Sequence, residues 1–500
     1  MIKKVLDWIK NNKILFLILL IAVLIRIYYF IITYGQAIWW DEAEYLLKAR
    51  NIAFGTSAVG WYEARPILFP LIAAGVMKIG LGESFLRILI LISSIFLVYF
   101  TYLLSKHFFD ENVALVSTFL MSIFYLGLFY TYRLLSDIPS ITLALVGLYF
   151  FFNNKNSFKR VILGGVILGL ATLIRYSPVL LFGSVILYYL IIQNKEILKN
   201  RYLRYFSFSY VLTILPFVIY LFLKGTFFYT FSGSTSAIRD KLSFSQLYQI
   251  FMQYVNFTPN YFASVLFVVF LIGFVFILFD VIIGFDLILK RKSNHNFGLF
   301  IIVVFVCNYL FFGFLLNHFE DRYLFNIFPF SFMVVGFILV KLLNWVPKLF
   351  SSGFANPRIK KNLAVFLILV ILFLGTYQQI KQADPLIKSK SLSFLQQKQA
   401  ALWMKENSNP NDLIVTPGVP QYNYYSQIRV AGYRDEEKEF FEYLDRERPR
   451  FIALSVFEKS PSWSYSLPER YPDLFKPVFV SFLDSNQKQP AEFIFLVDYS

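Results

Sequence analysis

Long runs of apolar residues, nearly free of charge, decide what this chain can fold into. They lie near 14–34, 84–105, 112–130, 138–153, 161–175, 178–193, 205–223, 261–288, 297–316, 323–345 and 362–380. A helix needs about 20 largely apolar residues to cross a bilayer. Helices suit that setting because they satisfy their own backbone groups where no water can. Three of the runs, 138–153, 161–175 and 178–193, are short for this task. Composition agrees: 57% of residues are hydrophobic and 16% charged. A soluble chain of this length would carry far more polar surface, and 60 Phe and 33 Tyr exclude a solvated disordered chain. The expected fold class is mainly α: a polytopic transmembrane bundle of about 11 spans with a small C-terminal α/β domain outside the cytoplasm.

Charge sets the expected orientation. The first run follows Lys3, Lys4, Lys10 and Lys13. It is too long for a removed signal peptide and lacks a small-residue cleavage site, so it reads as an anchor. With the N-terminus in the cytoplasm, the basic clusters 155–160, 195–204, 290–292 and 348–361 all fall on the inner side, as the positive-inside rule requires. The outer side receives Asp41, Glu42, Glu44, Glu63, Asp137, Glu320, Asp321 and the tail. The net charge of +16 is therefore membrane-flank charge rather than a nucleic-acid footprint. The expected division is a membrane module over 1–382 and a soluble domain over 383–500. The module's first external loop is placed at about 35–83 and a flexible one at about 224–260. In the tail, 413–416, 451–455, 479–482 and 493–497 read as strands and 435–447 as a helix.

Several chemistries are excluded. The single cysteine, Cys307, allows neither an intrachain disulfide nor a multi-thiolate metal site. The three histidines are widely separated, and there is no phosphate-binding Gly-x-x-x-x-Gly-Lys loop. Chemistry must rest on carboxylates, arginines, hydroxyls and an activated substrate.

The outward loops supply those groups. Trp39-Trp40-Asp41-Glu42-Ala43-Glu44-Tyr45 places three carboxylates beside interfacial tryptophans. Apolar surroundings would raise a carboxylate's pKa and make it a better base. The plainer reading has Asp41 capping a helix. Arg65 follows in Trp61-Tyr62-Glu63-Ala64-Arg65-Pro66, where it either binds an anion or pairs with Glu63. The apolar segment 67–80 after it fits a helix lying in the interface. Asp137 stands in Ser136-Asp137-Ile138-Pro139 as a candidate acid or a helix cap. Arg175 ends an outward-going span. Gly165 and Gly169 have the small-x-x-x-small spacing of packed helices. Ser232 to Ser236 lie in a Ser/Gly-rich stretch that would suit a mobile cover. Asn317-His318-Phe319-Glu320-Asp321-Arg322-Tyr323 offers a guanidinium that grips a phosphate or only pairs with Glu320 or Asp321.

These motifs resemble those of the GT-C membrane glycosyltransferases, most closely the branch of protein O-mannosyltransferases and the lipid A aminoarabinose transferase. The resemblance rests on Trp40-Asp41-Glu42-Ala43-Glu44-Tyr45 and on Arg65-Pro66-Ile67-Leu68-Phe69-Pro70 followed by Glu83-Ser84-Phe85-Leu86-Arg87. Ser136-Asp137-Ile138-Pro139 and Asp321-Arg322-Tyr323-Leu324 complete it. It covers most of 1–345 in layout. It implies a glycosyltransferase moving a monosaccharide, with inversion, from a dolichyl- or undecaprenyl-phosphate donor to an extracytoplasmic hydroxyl of a protein, lipid or glycan. It implies Asp41 or Glu42 as the base, with Asp137 beside them. Arg322, Arg65 and Arg175 would hold the donor phosphate. Glu44, Tyr45, Glu63, Tyr323 and His318 would contact acceptor or sugar. No cofactor is required; a divalent cation such as Mg or Mn, were one bound, would fall to Asp41, Glu42 and Asp137. The Trp-Trp-Asp motif in the first loop, rather than in a large external domain, argues against oligosaccharide transfer.

Two other classes compete. A transporter or flippase of lipid-linked sugars would use the same groove without a base. Ionisable groups near the midplane would favour it, but the carboxylates within spans are Asp280 and Asp286, near an inner end. A non-catalytic scaffold would leave the clustered outward carboxylates unexplained.

Overall fold

The computed structural model describes residues 2–227, 243–289, 296–316, 318–349, 357–484 and 486–500. The membrane module opens with α1 (Ile2–Asn11) and α2 (Lys13–Thr33). The segment expected as the first external loop then forms α3 (Trp40–Phe54) and α4 (Leu68–Lys78). After them come α5 (Glu83–Phe108), α6 (Glu111–Ile123), α7 (Tyr125–Thr131), α8 (Asp137–Phe152), α9 (Phe158–Ile174), α10 (Val179–Gln193) and α11 (Arg201–Leu223). The remaining helices are α12 (Phe244–Ile283), α13 (Phe285–Leu289), α14 (Asn296–Phe314), α15 (Phe328–Leu349) and α16 (Pro357–Ser391).

Each of the expected apolar runs is helical, but the count of about 11 falls when length is applied. Among the described residues eight helices are long and apolar enough to cross a membrane, or nine when α6 and α7, bent by 54°, are taken as one. Of the other two runs, α8 has 16 residues and α9 has 17. Both reach from the basic loop at 155–160 to the opposite face, where Asp137 and Arg175 meet. The molecule is a multi-pass membrane protein. Segment 67–80 holds the 11-residue α4, too short to span.

Small residues let α8, α9 and α11 pack closely. A side chain at Gly147 would meet Gly164 O at 2.8 Å, and one at Gly169 would meet the Thr213 side chain at 2.8 Å. Gly165 backs onto Phe206 and Ser209, so the predicted small-residue spacing is a packing face.

Two helices break inside the bundle, and their freed backbone groups find partners. At the α6–α7 bend the Tyr125 N–H donates to Gln379 Oε1 at 2.9 Å. The buried Arg26 on α2 donates to Ser122 O at 3.0 Å beside the same bend. In α12 the helical path breaks at Ala263, with φ of 59°. There Gln379 Nε2 donates to Tyr261 O at 3.1 Å, and Val265 N–H donates to Gln378 Oε1 at 3.2 Å. The loop expected at 224–260 is partly this helix: Ser243 and Gln246 form a capping box that starts α12 seventeen residues before the expected span at 261. The Ser/Gly-rich stretch lies outside the described residues.

The helix α16 runs to Ser391, so the expected boundary at 382 falls inside it. Beyond it come α17 (Leu395–Glu406), β1 (Leu413–Val415), α18 (Val419–Ser426), β2 (Arg429–Ala431), α19 (Glu437–Glu447), β3 (Phe451–Ser455), α20 (Leu467–Arg470), β4 (Phe475–Phe482) and β5 (Pro490–Val497). The strands form one sheet in the order β2-β1-β3-β5-β4, with β2, β1 and β3 parallel and β5 antiparallel to both neighbours. The α/β reading holds, with β2, α17, α18 and α20 added. One face of this domain joins the membrane module. Arg50 on α3 donates to Tyr424 O at 2.6 Å and stacks on the Tyr424 ring at 4.0 Å. The Tyr425 hydroxyl accepts from Ile38 N–H at 3.0 Å.

Glu492 on β5 is fully buried. Tyr422 donates to it at 2.7 Å and Ser455 at 2.5 Å. Burial outweighs those bonds and pushes its carboxyl up to about 8. The folded chain thus holds a proton that the unfolded chain releases at ordinary carboxylate pH. Stability should fall as pH rises from about 4.5 toward 8 and then level off. Glu492→Gln, which mimics the protonated acid, should match wild type near pH 4.5 and unfold at higher temperature above it. The gap should widen to about pH 8, as a thermal-unfolding series in detergent would show.

Candidate active site

The site begins where α3 begins. Its N-cap is Trp39, and Glu42 Oε2 accepts the Trp39 N–H at 2.6 Å. Glu42, not Asp41, therefore serves the helix end, which frees Asp41 to face outward. Asp41 Oδ2 meets Arg322 Nη2 at 2.7 Å, and its Oδ1 meets Arg65 Nη2 at 3.4 Å.

Arg322 collects the other acids. Its Nε bonds Glu320 Oε2 at 2.5 Å, and Nη1 lies 3.9 Å from Asp137 Oδ2. Arg175 Nη1 reaches Asp137 Oδ1 at 3.2 Å. Asp137 is buried at the first turn of α8, and neither of its oxygens takes a well-aligned hydrogen bond. Arg65 pairs with Glu44 at 2.5 Å and with Asp41, not with Glu63 as the sequence allowed. Asp321, the other partner weighed for Arg322, accepts instead from the Tyr130 hydroxyl at 2.9 Å. Four segments, far apart in sequence, thus converge on one ion network. A cavity of about 470 Å³ opens beside it, lined by Trp39, Trp40, Asp41, Tyr130, Glu320 and Arg322 together with Leu135, Lys390 and Phe394.

The electrostatics correct one expectation. Burial pushes Asp41 upward, but the Arg322 and Arg65 guanidiniums outweigh it and hold the carboxyl below the usual aspartate range. Burial raises Glu44 above its ordinary value even with Arg65 beside it. Glu320 is drawn down to about 2: burial opposes this, but the His318 hydrogen bond and the Arg322 charge prevail.

The remaining predicted residues divide. His318 and Tyr323 belong to the network's edge, with His318 Nε2 2.8 Å from the Tyr323 hydroxyl and 3.5 Å from Glu320. The Tyr323 ring lies 5.6 Å from the Arg175 guanidinium. Tyr45 is buried, with its hydroxyl 3.2 Å from Ser136 Oγ. Glu63 stands apart, paired with Lys48 at 3.0 Å and the Tyr220 hydroxyl at 2.7 Å. Glu42 turns inward. It is fully buried, 3.7 Å from Arg133, and accepts the Leu134 N–H at 2.5 Å. Arg133 is itself buried and stacks on Trp39 at 3.8 Å. Asp41, Glu42 and Asp137 therefore do not converge as a ligand set. No group of three His, Cys, Asp or Glu among the described residues is placed to hold a metal ion.

Sequence reasoning missed Tyr130, Lys390 and Phe394. Tyr130 sits within an apolar run, and the other two follow a span in the tail, so no motif marks them.

Residues 64–220 match the family described as dolichyl-phosphate-mannose-protein mannosyltransferase. A comparison with curated proteins found no match. The fold resembles that of ArnT from Cupriavidus metallidurans bound to undecaprenyl phosphate. The TM-score is 0.63 at 12% identity, over 97% of this chain and 98% of that one. It also resembles the Archaeoglobus fulgidus oligosaccharyltransferase tethered with an acceptor peptide, with a TM-score of 0.56 at 13% identity over 90% of this chain and 70% of that one. The same oligosaccharyltransferase, AglB, in complex with an inhibitory peptide and a dolichol-phosphate gives 0.57 at 13% identity over the same shares. The chain has the GT-C fold.

Proposed function

We propose that this GT-C chain is an integral-membrane glycosyltransferase that moves a monosaccharide from a polyprenyl-phosphate donor to an extracytoplasmic acceptor hydroxyl, inverting the anomeric carbon. One observation carries the reading: Asp41 and Arg322 face one cavity 2.7 Å apart. A base and a phosphate-neutralising cation are the two groups such a transfer needs. In the step, the acceptor oxygen forms a bond to the anomeric carbon as the carbon–phosphate oxygen bond breaks. The acceptor proton passes to Asp41. The leaving polyprenyl phosphate keeps the bonding electrons, and Arg322 stabilises its charge.

Arg65 and Arg175 act through the acids that they pair, fixing Asp41 and Asp137 about Arg322. Glu42 positions the helix that carries the base. His318, Tyr323 and Glu44 are read as the edge that meets sugar or acceptor. The N-terminus lies in the cytoplasm and the α/β domain beyond α16 outside it, which puts the site, the acids and the tail on one side and the basic loops on the other. No assigned step needs a cofactor. The acceptor is a protein, lipid or glycan hydroxyl.

The test is transfer from radiolabelled undecaprenyl- and dolichyl-phosphate monosaccharides in membranes carrying the chain. Label should enter a protein, lipid or glycan fraction as free polyprenyl phosphate appears in equal amount. Donor that crosses the membrane intact would replace transfer with transport. Arg322→Ala should weaken donor binding by about 10- to 100-fold, the worth of a lost charge-assisted bond. Unchanged donor affinity would remove Arg322 from the phosphate site.

A further inference from the structure

The ion network is short of positive charge for a phosphate ligand. Its carboxylates are Asp41, Glu44, Asp137 and Glu320, and its guanidiniums are Arg65, Arg175 and Arg322. Every guanidinium is already committed to at least one carboxylate. An arriving phosphate must take Arg322 from Asp41 or find a further cation.

Lys390 is such a cation. It lines the same cavity as Asp41 and Arg322 and has no carboxylate within 4.0 Å among the described residues. Lys388, two positions earlier, is spent on Asp384 at 2.8 Å. A lysine in the last turn of a helix ordinarily only complements the helix dipole. Lys390 differs in being held at the site. Its carbonyl oxygen accepts from Arg133 Nη2 at 2.8 Å, and that buried guanidinium stacks on Trp39 at 3.8 Å. The end of α16 is thereby tied to the N-terminus of α3, the turn that carries Asp41. A compact ammonium on a flexible stem suits a phosphate that must enter and leave.

We propose that Lys390 is a phosphate-binding residue for the donor, acting alongside Arg322. The assignment rests on the glycosyltransferase reading above. It gives the end of the last membrane helix, rather than an outer loop, a direct hold on substrate.

Undecaprenyl phosphate and dolichyl phosphate serve as probes, titrated against the purified full-length chain. Lys390→Ala should raise the dissociation constant about tenfold or more, and Lys390→Glu should raise it further. Lys390→Arg should bind nearly as wild type. The donor KM should rise in parallel while the acceptor KM stays level. Binding should weaken with salt more steeply in wild type than in Lys390→Ala. The side chain is exposed, so all three variants should fold. Equal probe affinity in wild type and Lys390→Ala would overturn the assignment and leave the transferase reading standing. A raised acceptor KM with unchanged donor affinity would overturn it in favour of an anionic acceptor. Failure of wild type to bind either lipid phosphate would overturn both readings.

Discussion

Asp41→Asn should lower sugar transfer by about 10²- to 10⁴-fold, the range for loss of a positioned general base, while the variant still folds. Asn keeps the shape and one acceptor oxygen, so Arg322 and Arg65 retain a partner. It cannot take up the acceptor proton. The pH profile offers a second reading of the same group. Two guanidiniums hold Asp41 below the usual aspartate range. Before donor binds it is therefore ionised throughout the neutral range, and the acid limb of kcat/KM should lie below the ordinary aspartate value. A donor phosphate that draws on Arg322 relieves Asp41 of that charge and restores its basicity. The acid limb of kcat should accordingly stand at higher pH than that of kcat/KM. Wild-type turnover in Asp41→Asn would remove the residue from the mechanism, and coincident limbs would remove the exchange of partners.

Glu42→Ala should do the opposite, costing about 3–5 kcal/mol of stability, the usual result of breaking a buried pair from one side. Arg133 would be left 1% exposed without its carboxylate. The N–H groups of Trp39 and Leu134 would lose their acceptor as well. A lowered unfolding temperature in detergent, with activity falling only as the folded fraction falls, would identify Glu42 as a positioning residue. Activity loss at full stability would return it to candidacy as the base. On the proposed reading the neighbouring acids divide the work: Asp41 takes the acceptor proton, and Glu42 holds the turn.

How much of this was legible follows from what each signal measures. Apolar length marks membrane helices well, and every expected run is helical. It marks their ends poorly. The Ser243–Gln246 capping box lay in the chain but inside a segment read as loop, and α16 carries polar residues well past its apolar part. The acids and arginines of the loops expected outside were found because charge at a membrane face is conspicuous. Their pairing was not, since Arg65 lies close to Glu63 in sequence but meets Glu44 and Asp41 in space. The direction of the Asp41 shift was missed for the same reason: apolar neighbours are visible in sequence, whereas two guanidiniums from 24 and 281 positions away are not. Lys390 and Tyr130 carry no pattern at all, because only folding brings them to the cavity.

Gln379 on α16 sits between two broken helices. Its single side chain gives an oxygen to the first residue of α7 and a nitrogen to the break in α12. The first of these segments leads to Tyr130 and Arg133. The second passes Tyr261, whose hydroxyl donates to Asp321 O at 3.0 Å beside Arg322. The two halves of the ion network are therefore registered through one amide in the bundle interior. Glutamate would lack the donor, lysine the acceptor and asparagine the reach. A substitution there would act like a worn rivet, leaving each helix intact while letting Asp41 and Arg322 drift out of alignment.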